Sequence, residues 1–128
     1  GMMAQRFGAL YNMEGMGSDG QIMPGLALYG TTKRGVRYFS AALAKEVEGT
    51  PLLVGTLSPG MVLTDLLLND REMLDEKAWA RRRRIFNILA DEVETVTPWL
   101  ARRVLNNRRN KVRIQWLTRQ KAMLRFLL

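Results

Sequence analysis

Tyr29-Gly30-Thr31-Thr32-Lys33 lies between Asn12-Met13-Glu14-Gly15-Met16-Gly17-Ser18-Asp19-Gly20 and Leu57-Ser58-Pro59-Gly60-Met61-Val62-Leu63-Thr64-Asp65. These three pieces, in this order, decide the fold. A tyrosine and a lysine four positions apart at the start of a helix stand one turn apart on one face. An ammonium held near a phenol favours the phenolate, so the pair suits delivery of a proton to a carbonyl oxygen. Three tyrosines and five lysines in 128 positions give this spacing by chance in about one chain in eight, so the pair alone is a weak signal. Its neighbours strengthen it.

Residues 7–13, ahead of the first loop, read as a short buried strand. Gly15, Gly17 and Gly20 then mark a loop, and residues 21–28 an apolar connector with Pro24-Gly25. A helix is predicted over residues 29–48, with Val36, Phe39, Leu43 and Val47 as its inner stripe and Gly49 as its stop. Residues 51–57 read as a second buried strand that starts at Pro51. The loop that follows it stands where α/β folds bind ligands, at the carboxyl end of a parallel strand. An equally compatible role for Thr64 is the N-cap of a helix over Leu66-Leu67-Leu68.

The bulk composition excludes several classes. The apolar fraction of 47% is that of a globular protein. With no cysteine and no histidine, disulfides, the usual zinc sites, Ser-His and Cys nucleophiles and a histidine base all fall away. No metal site is expected. No run of about 18 apolar residues is present, and Gly1 to Arg6 carry no signal-peptide core.

A Gly-rich loop after a strand, Y-x-x-x-K opening a helix, and a strand ending in P-G-x-x-x-T together resemble the short-chain dehydrogenase/reductase superfamily. The wording from Asn12 to Gly20, Tyr29 to Lys33 and Leu57 to Leu67 is similar to the chlorophyll(ide) b reductase branch. The likeness covers about the first 70 residues well and the rest loosely. It implies an α/β fold: the C-terminal half of a Rossmann-like doubly wound parallel sheet, with the N-terminal nucleotide-binding βαβ unit absent. Residues 1–128 would form one partial domain. Its catalytic core segment is 7–68, a helical substrate lid is 70–107, and a last strand and amphipathic tail are 111–128.

The resemblance also implies chemistry. The complete enzyme would be an oxidoreductase that uses NADPH or NADH to reduce a carbonyl. In this branch the carbonyl is the 7-formyl group of chlorophyll(ide) b, which becomes hydroxymethyl. Tyr29 would give the proton, and Lys33 would assist it and bind the cofactor ribose. Pro59, Gly60, Val62 and Thr64 would hold the nicotinamide side of the cofactor. The family's substrate-orienting serine lies twelve or thirteen positions before the tyrosine, whereas Ser18 lies eleven before. Ser18 therefore has two readings, the orienting hydroxyl reached through a shifted loop, or a hydroxyl that caps the loop backbone near Asp19 and Gly20. Glu14 is expected to face solvent, and Arg34 and Arg37 the surface. The chain alone is expected to be inactive and to form a homo-oligomer. The alternative function is a non-catalytic, self-associating α/β module, and a less favoured one is a basic binder of nucleic acid or anionic membranes.

Beyond the likeness, a second helix is predicted within 70–90, with Met73, Leu74, Ala78, Ile85, Ile88 and Leu89 inward. A third is predicted over 92–107, with Pro98 near its start and Val96, Trp99, Leu100 and Val104 inward. Residues 111–117 alternate as a half-buried strand, and Thr118 to Leu128 form an amphipathic helix. Charge is uneven: residues 1–70 hold five Lys/Arg against six Asp/Glu, and residues 71–128 hold fifteen against six. Arg81-Arg82-Arg83-Arg84 cannot form one patch, because four consecutive helical residues span every face. Nucleic acid is not expected as a partner. The tail is expected to dock on the domain or on a second subunit, and it also allows peripheral contact with a membrane. The expected location is the cytoplasm or, as the resemblance implies, the periphery of a photosynthetic membrane.

Overall fold

A computed structural model describes residues 1–64 and 75–128. Within them the chain forms two compact units, residues 1–58 with 103–114 and residues 59–102 with 115–128.

The first unit carries a short helix α1 (Met2–Gln5), strand β1 (Gly8–Met13), the long helix α2 (Ala27–Glu46) and strand β2 (Leu52–Ser58). A further strand, β5 (Val112–Gln115), completes a three-stranded sheet in the order β1-β2-β5. β1 and β2 are parallel, in register from Gly8 opposite Leu52 to Met13 opposite Leu57. Parallel neighbours need a crossover, and α2 supplies it. β2 lies between two strands, so Leu52, Val54, Gly55 and Thr56 are buried. β1 has one neighbour in this sheet and is half-buried rather than buried, with Ala9 and Met13 exposed and Phe7 outside the strand.

α2 begins and ends two residues earlier than predicted. Its inner face also differs. Ser40 and Ala44 are the buried residues, Val36, Leu43 and Val47 are half-buried, and Phe39 is 57% exposed. The small side chains let the helix lie close to the sheet, and polar ties hold it there. Asn12 Nδ2 donates to Ser40 Oγ at 2.9 Å. Asn110 Nδ2 donates to the Ala44 carbonyl at 2.8 Å, while its Oδ1 accepts from the Val54 amide at 2.9 Å. One asparagine thus links helix and central strand.

The second unit holds β3 (Met61–Val62), α3 (Glu76–Leu89), β4 (Ala90–Asp91), the first part of α4 (Val93–Asn106) and α5 (Arg119–Leu127). β3 and β4 form a short parallel pair. Asp75 caps α3 by accepting from the Ala78 amide at 2.7 Å. Phe86 is its buried residue and meets Trp79 edge to face at 6.3 Å. Ile85, expected inside, is exposed, while Ala78, Ile88 and Leu89 are half-buried. Met73 and Leu74, like Leu66 to Leu68, lie outside the described residues. Of the four arginines Arg81 to Arg84, Arg82 is half-buried and the others are exposed, as a run that circles a helix must be.

Val96 and Leu100 of α4 are buried as predicted, and Trp99 packs edge to face on Trp116 at 5.2 Å. α5 starts at Thr118, whose hydroxyl accepts from the Lys121 amide. No residue of α5 is buried, and Met123, Phe126 and Leu127 point to solvent. The helix is held by charge. Arg125 grips Asp91 with two bonds of 2.8 and 2.9 Å, and Trp116 Nε1 donates to the same carboxylate at 2.7 Å. The Arg125 bond is the main reason the Asp91 carboxyl lies below its ordinary range, against the opposing effect of burial. Lys121 sits over the Trp116 ring at 3.4 Å, a cation–π contact, and burial lowers its pKa.

Candidate active site

In the first unit the loop after β1 brings Glu14, Gly15 and Ser18 against the first turns of α2, where Tyr29 and Lys33 stand. The Lys33 ammonium lies 5.8 Å from the centre of the Tyr29 ring and donates to the Met13 carbonyl at 3.2 Å. Tyr29 is 40% exposed. A phenol with a cation on its own helix face, open to an incoming group, is an arrangement compatible with proton transfer to a carbonyl oxygen.

Ser18 is buried at the junction of the loop with α2. It is 1% exposed. Its Oγ accepts from the Gly15 amide at 3.0 Å and donates to the Lys33 carbonyl at 3.4 Å. The hydroxyl therefore closes the loop and ties it to α2. Of the two readings its spacing left open, the loop-capping geometry is present, with Gly15 and Lys33 as partners in place of Asp19 and Gly20. Arg34 adds a tie to the Ser18 carbonyl at 2.8 Å. Gly17 completes the approach. It has φ +92°, and a side chain on it would meet the Gly30 Cα at 2.7 Å, so loop and helix backbones touch there.

Glu14 corrects the expectation of a solvent-facing carboxylate. It is 4% exposed, and Arg113 Nε and Nη2 reach its Oε2 at 2.8 and 2.6 Å. Arg113 also reaches Asp19 at 3.2 Å, and Arg37 pairs with Asp19 and stands 3.9 Å from Glu14 Oε1. Glu14 Oε1 itself has no hydrogen-bond partner. This network joins the loop, α2 and β5, and Arg37 belongs to it rather than to a plain surface. Its one legible signal is that Glu14 is the sole charge between Phe7 and Ser18. Arg113 is 99 positions away and gives no local sign of the pairing. Glu14, Arg37, Lys111 and Arg113 border a cavity of about 160 Å³. A larger, mainly apolar hollow of about 680 Å³ is lined by Met16, Ile22, Met23, Leu26, Arg34 and Tyr38, without Tyr29 or Lys33.

The other predicted binding residues, Pro59, Gly60, Val62 and Thr64, belong to the second unit. Pro59 is half-buried and Gly60 turns the chain with φ +78°. A side chain on Gly60 would collide with Leu117, which accounts for glycine there. Val62 lies in β3 opposite Asp91, and the Leu63 amide donates to the Asp91 carbonyl at 3.0 Å. Thr64 is exposed, and the helix it was expected to cap lies outside the described residues. Within the first unit, the exposed Tyr29 phenol and the Lys33 ammonium are donors of the kind that ribose hydroxyls can accept from. Among the described residues no group of acidic or thiol side chains could hold a metal ion.

Residues 1–75 match the short chain dehydrogenase family. A protein named probable chlorophyll(ide) b reductase NYC1, chloroplastic, of Oryza sativa subsp. japonica is 38% identical over 120 residues, which are 94% of this chain and 22% of that protein. Chlorophyll(ide) b reductase NOL, chloroplastic, of the same organism is 38% identical over 98 residues, covering 74% of this chain and 27% of that one. The chain thus spans about a quarter of the length of these relatives. In structure it is similar to the closed form of a serine dehydrogenase complexed with NADP+, with a TM-score of 0.69 and 22% identity, over 91% of this chain and 46% of that one. That likeness shows a shared α/β fold. With the family match running over more than half its length, and with the Rossmann-like crossover β1-α2-β2 at its centre, this chain belongs to the short chain dehydrogenase family.

Proposed function

We propose that the chain supplies the proton-transfer half of a nicotinamide-dependent carbonyl reductase. In the complete protein, its substrate is the 7-formyl group of chlorophyll(ide) b. The observation that carries this reading is the pairing of Tyr29 and Lys33 on one helix face, with the ammonium 5.8 Å from the ring centre. The names of the rice relatives support the substrate, and their chloroplastic labels support work at a photosynthetic membrane. No described helix is long and apolar enough to cross a membrane.

Reduction adds two electrons and two protons' worth of hydrogen, one as hydride at the carbonyl carbon and one as a proton at its oxygen. A bound reduced nicotinamide supplies the hydride. The rest falls to this chain. Tyr29 donates its hydroxyl proton to the carbonyl oxygen as the C–H bond forms, leaving an alcohol. Lys33 steadies the negative charge then left on the phenol and holds ribose hydroxyls. Pro59, Gly60, Val62 and Thr64 hold the carboxamide side of the nucleotide. Ser18 acts through the backbone, keeping the loop closed on Lys33. The domain is read as one partial reductase domain over 1–128.

Tyr29→Phe in the complete protein tests this. It removes one hydroxyl from a side chain that is 40% exposed, so the fold should survive. Formyl-pigment reduction is expected to fall by about a hundredfold or more. Turnover at the parent rate would exclude Tyr29 as the acid.

A further inference from the structure

The first of the three small residues in the loop has no backbone reason to be glycine. Gly17 and Gly20 adopt positive φ, whereas Gly15 does not. What distinguishes Gly15 is its neighbours. A side chain begun there would collide with the Tyr29 hydroxyl and would stand 3.1 and 3.2 Å from the Lys33 Cε and Cδ. The two side chains proposed for proton transfer therefore both lie on the bare Cα of Gly15.

We propose that Gly15 is a positioning residue: the absence of its side chain forms the seat that holds the Tyr29 hydroxyl beside Lys33. The reading of Tyr29 as proton donor is the premise. The seat is anchored on both sides. On the N-terminal side the Glu14 amide donates to the Leu57 carbonyl at 2.7 Å, and the Glu14 carboxylate is held by Arg113. On the C-terminal side the Gly15 amide donates to Ser18, whose hydroxyl reaches the Lys33 carbonyl. The loop is thus tied to β2, β5 and α2 around this one residue, so a group added at Gly15 has to move the phenol rather than the loop. The phenol is the far end of a rotatable side chain and moves at little energetic cost. The consequence is specific: Gly15→Ala leaves the fold and displaces the reactive oxygen. A misplacement of about 1 Å is enough to cost on the order of a hundredfold in rate.

The seat also gives Glu14 and Ser18 a shared purpose. Both are buried and engaged with their own chain. Both fix the residue against which Tyr29 rests.

The test has two arms. The first is NMR of the 128-residue chain, which needs no variant. A nuclear Overhauser contact between the Gly15 α protons and the Tyr29 ring is expected, and its absence would overturn the proposal. In Gly15→Ala the Tyr29 ring resonances should shift while those of Tyr11 stay in place, with the melting temperature within about 3 °C of the parent. The second arm is kinetics of the complete reductase. Gly15→Ala should lower kcat about tenfold or more, with KM and the affinity for NADPH within about twofold of the parent. An unchanged kcat would overturn the positioning role. A Tyr29→Phe enzyme as active as its parent would instead overturn the premise, and the NMR arm would still decide whether Gly15 seats the phenol.

Discussion

Glu14 shows how much one side chain depends on partners far along the chain. Its carboxylate is almost fully buried, yet one oxygen is doubly held by Arg113 while the other has no hydrogen-bond partner and only the Arg37 guanidinium at 3.9 Å. Removing one member of a buried pair leaves the other charge uncompensated. Arg113 keeps partial contact with water, at 30% side-chain exposure, which reduces that penalty. Glu14→Ala is expected to destabilise the chain by about 1–3 kcal/mol. Urea unfolding followed by far-UV circular dichroism would measure it, and an unchanged midpoint would remove Glu14 from the set of structural anchors. Tyr29 and Lys33 were legible from their spacing because an i, i+4 pair is local. Gly15 and Glu14 were not, because what makes them matter arrives from α2 and β5.

α2 and α5 attach by opposite means. α2 presents Ser40 and Ala44 to the sheet, and closeness is what its packing needs. Ala44→Leu would force extra methylenes into that contact and should cost about 1–3 kcal/mol. A drop in melting temperature with unchanged helix content would confirm it, and a neutral result would show that the face has room. The predicted stripe failed at Phe39 because a helical period allows neighbouring faces, and the sheet selected the one with small residues. α5 is instead held by Asp91 and Arg125. The Asp91 carboxyl, chiefly through its Arg125 bond, lies below its ordinary value in the folded chain. The stabilisation is therefore complete above the unfolded carboxyl's range near pH 4 and is lost as pH falls through the folded value. All three tryptophans, Trp79, Trp99 and Trp116, belong to the second unit, so their fluorescence reports on it. Urea titrations at about pH 7 and about pH 3 should differ more for the parent than for Asp91→Asn. Equal differences would show that the pair contributes nothing to the pH response.

For the chain as a whole, the decisive quantity is cofactor affinity. The serine dehydrogenase with the same fold is about twice as long, since this chain covers 46% of it. If the nicotinamide residues proposed here act with further residues of a longer protein, the 128-residue chain should bind NADPH at least about tenfold more weakly than the complete protein. Calorimetry on both would measure the ratio, with equal affinities overturning that expectation. Sedimentation alongside would test self-association, for which the exposed Met123, Phe126 and Leu127 of α5 and the edge position of β1 are the available apolar and backbone surfaces.

The order of strand, Gly-rich loop, Y-x-x-x-K helix and Pro-Gly strand end was enough to establish the family and the β1-α2-β2 crossover, because each of those signals rests on near neighbours in the chain. The same local logic placed Val96 and Leu100 inside α4 and began the last helix at Thr118, which is its N-cap. The buried Glu14–Arg113 pair, the small-residue face of α2, the inward turn of Ser18 and the close approach of Tyr29 to Gly15 came from folding alone. Each depends on contacts between segments many residues apart, and a burial pattern along one helix or strand carries no record of which distant side chain will arrive to fill it.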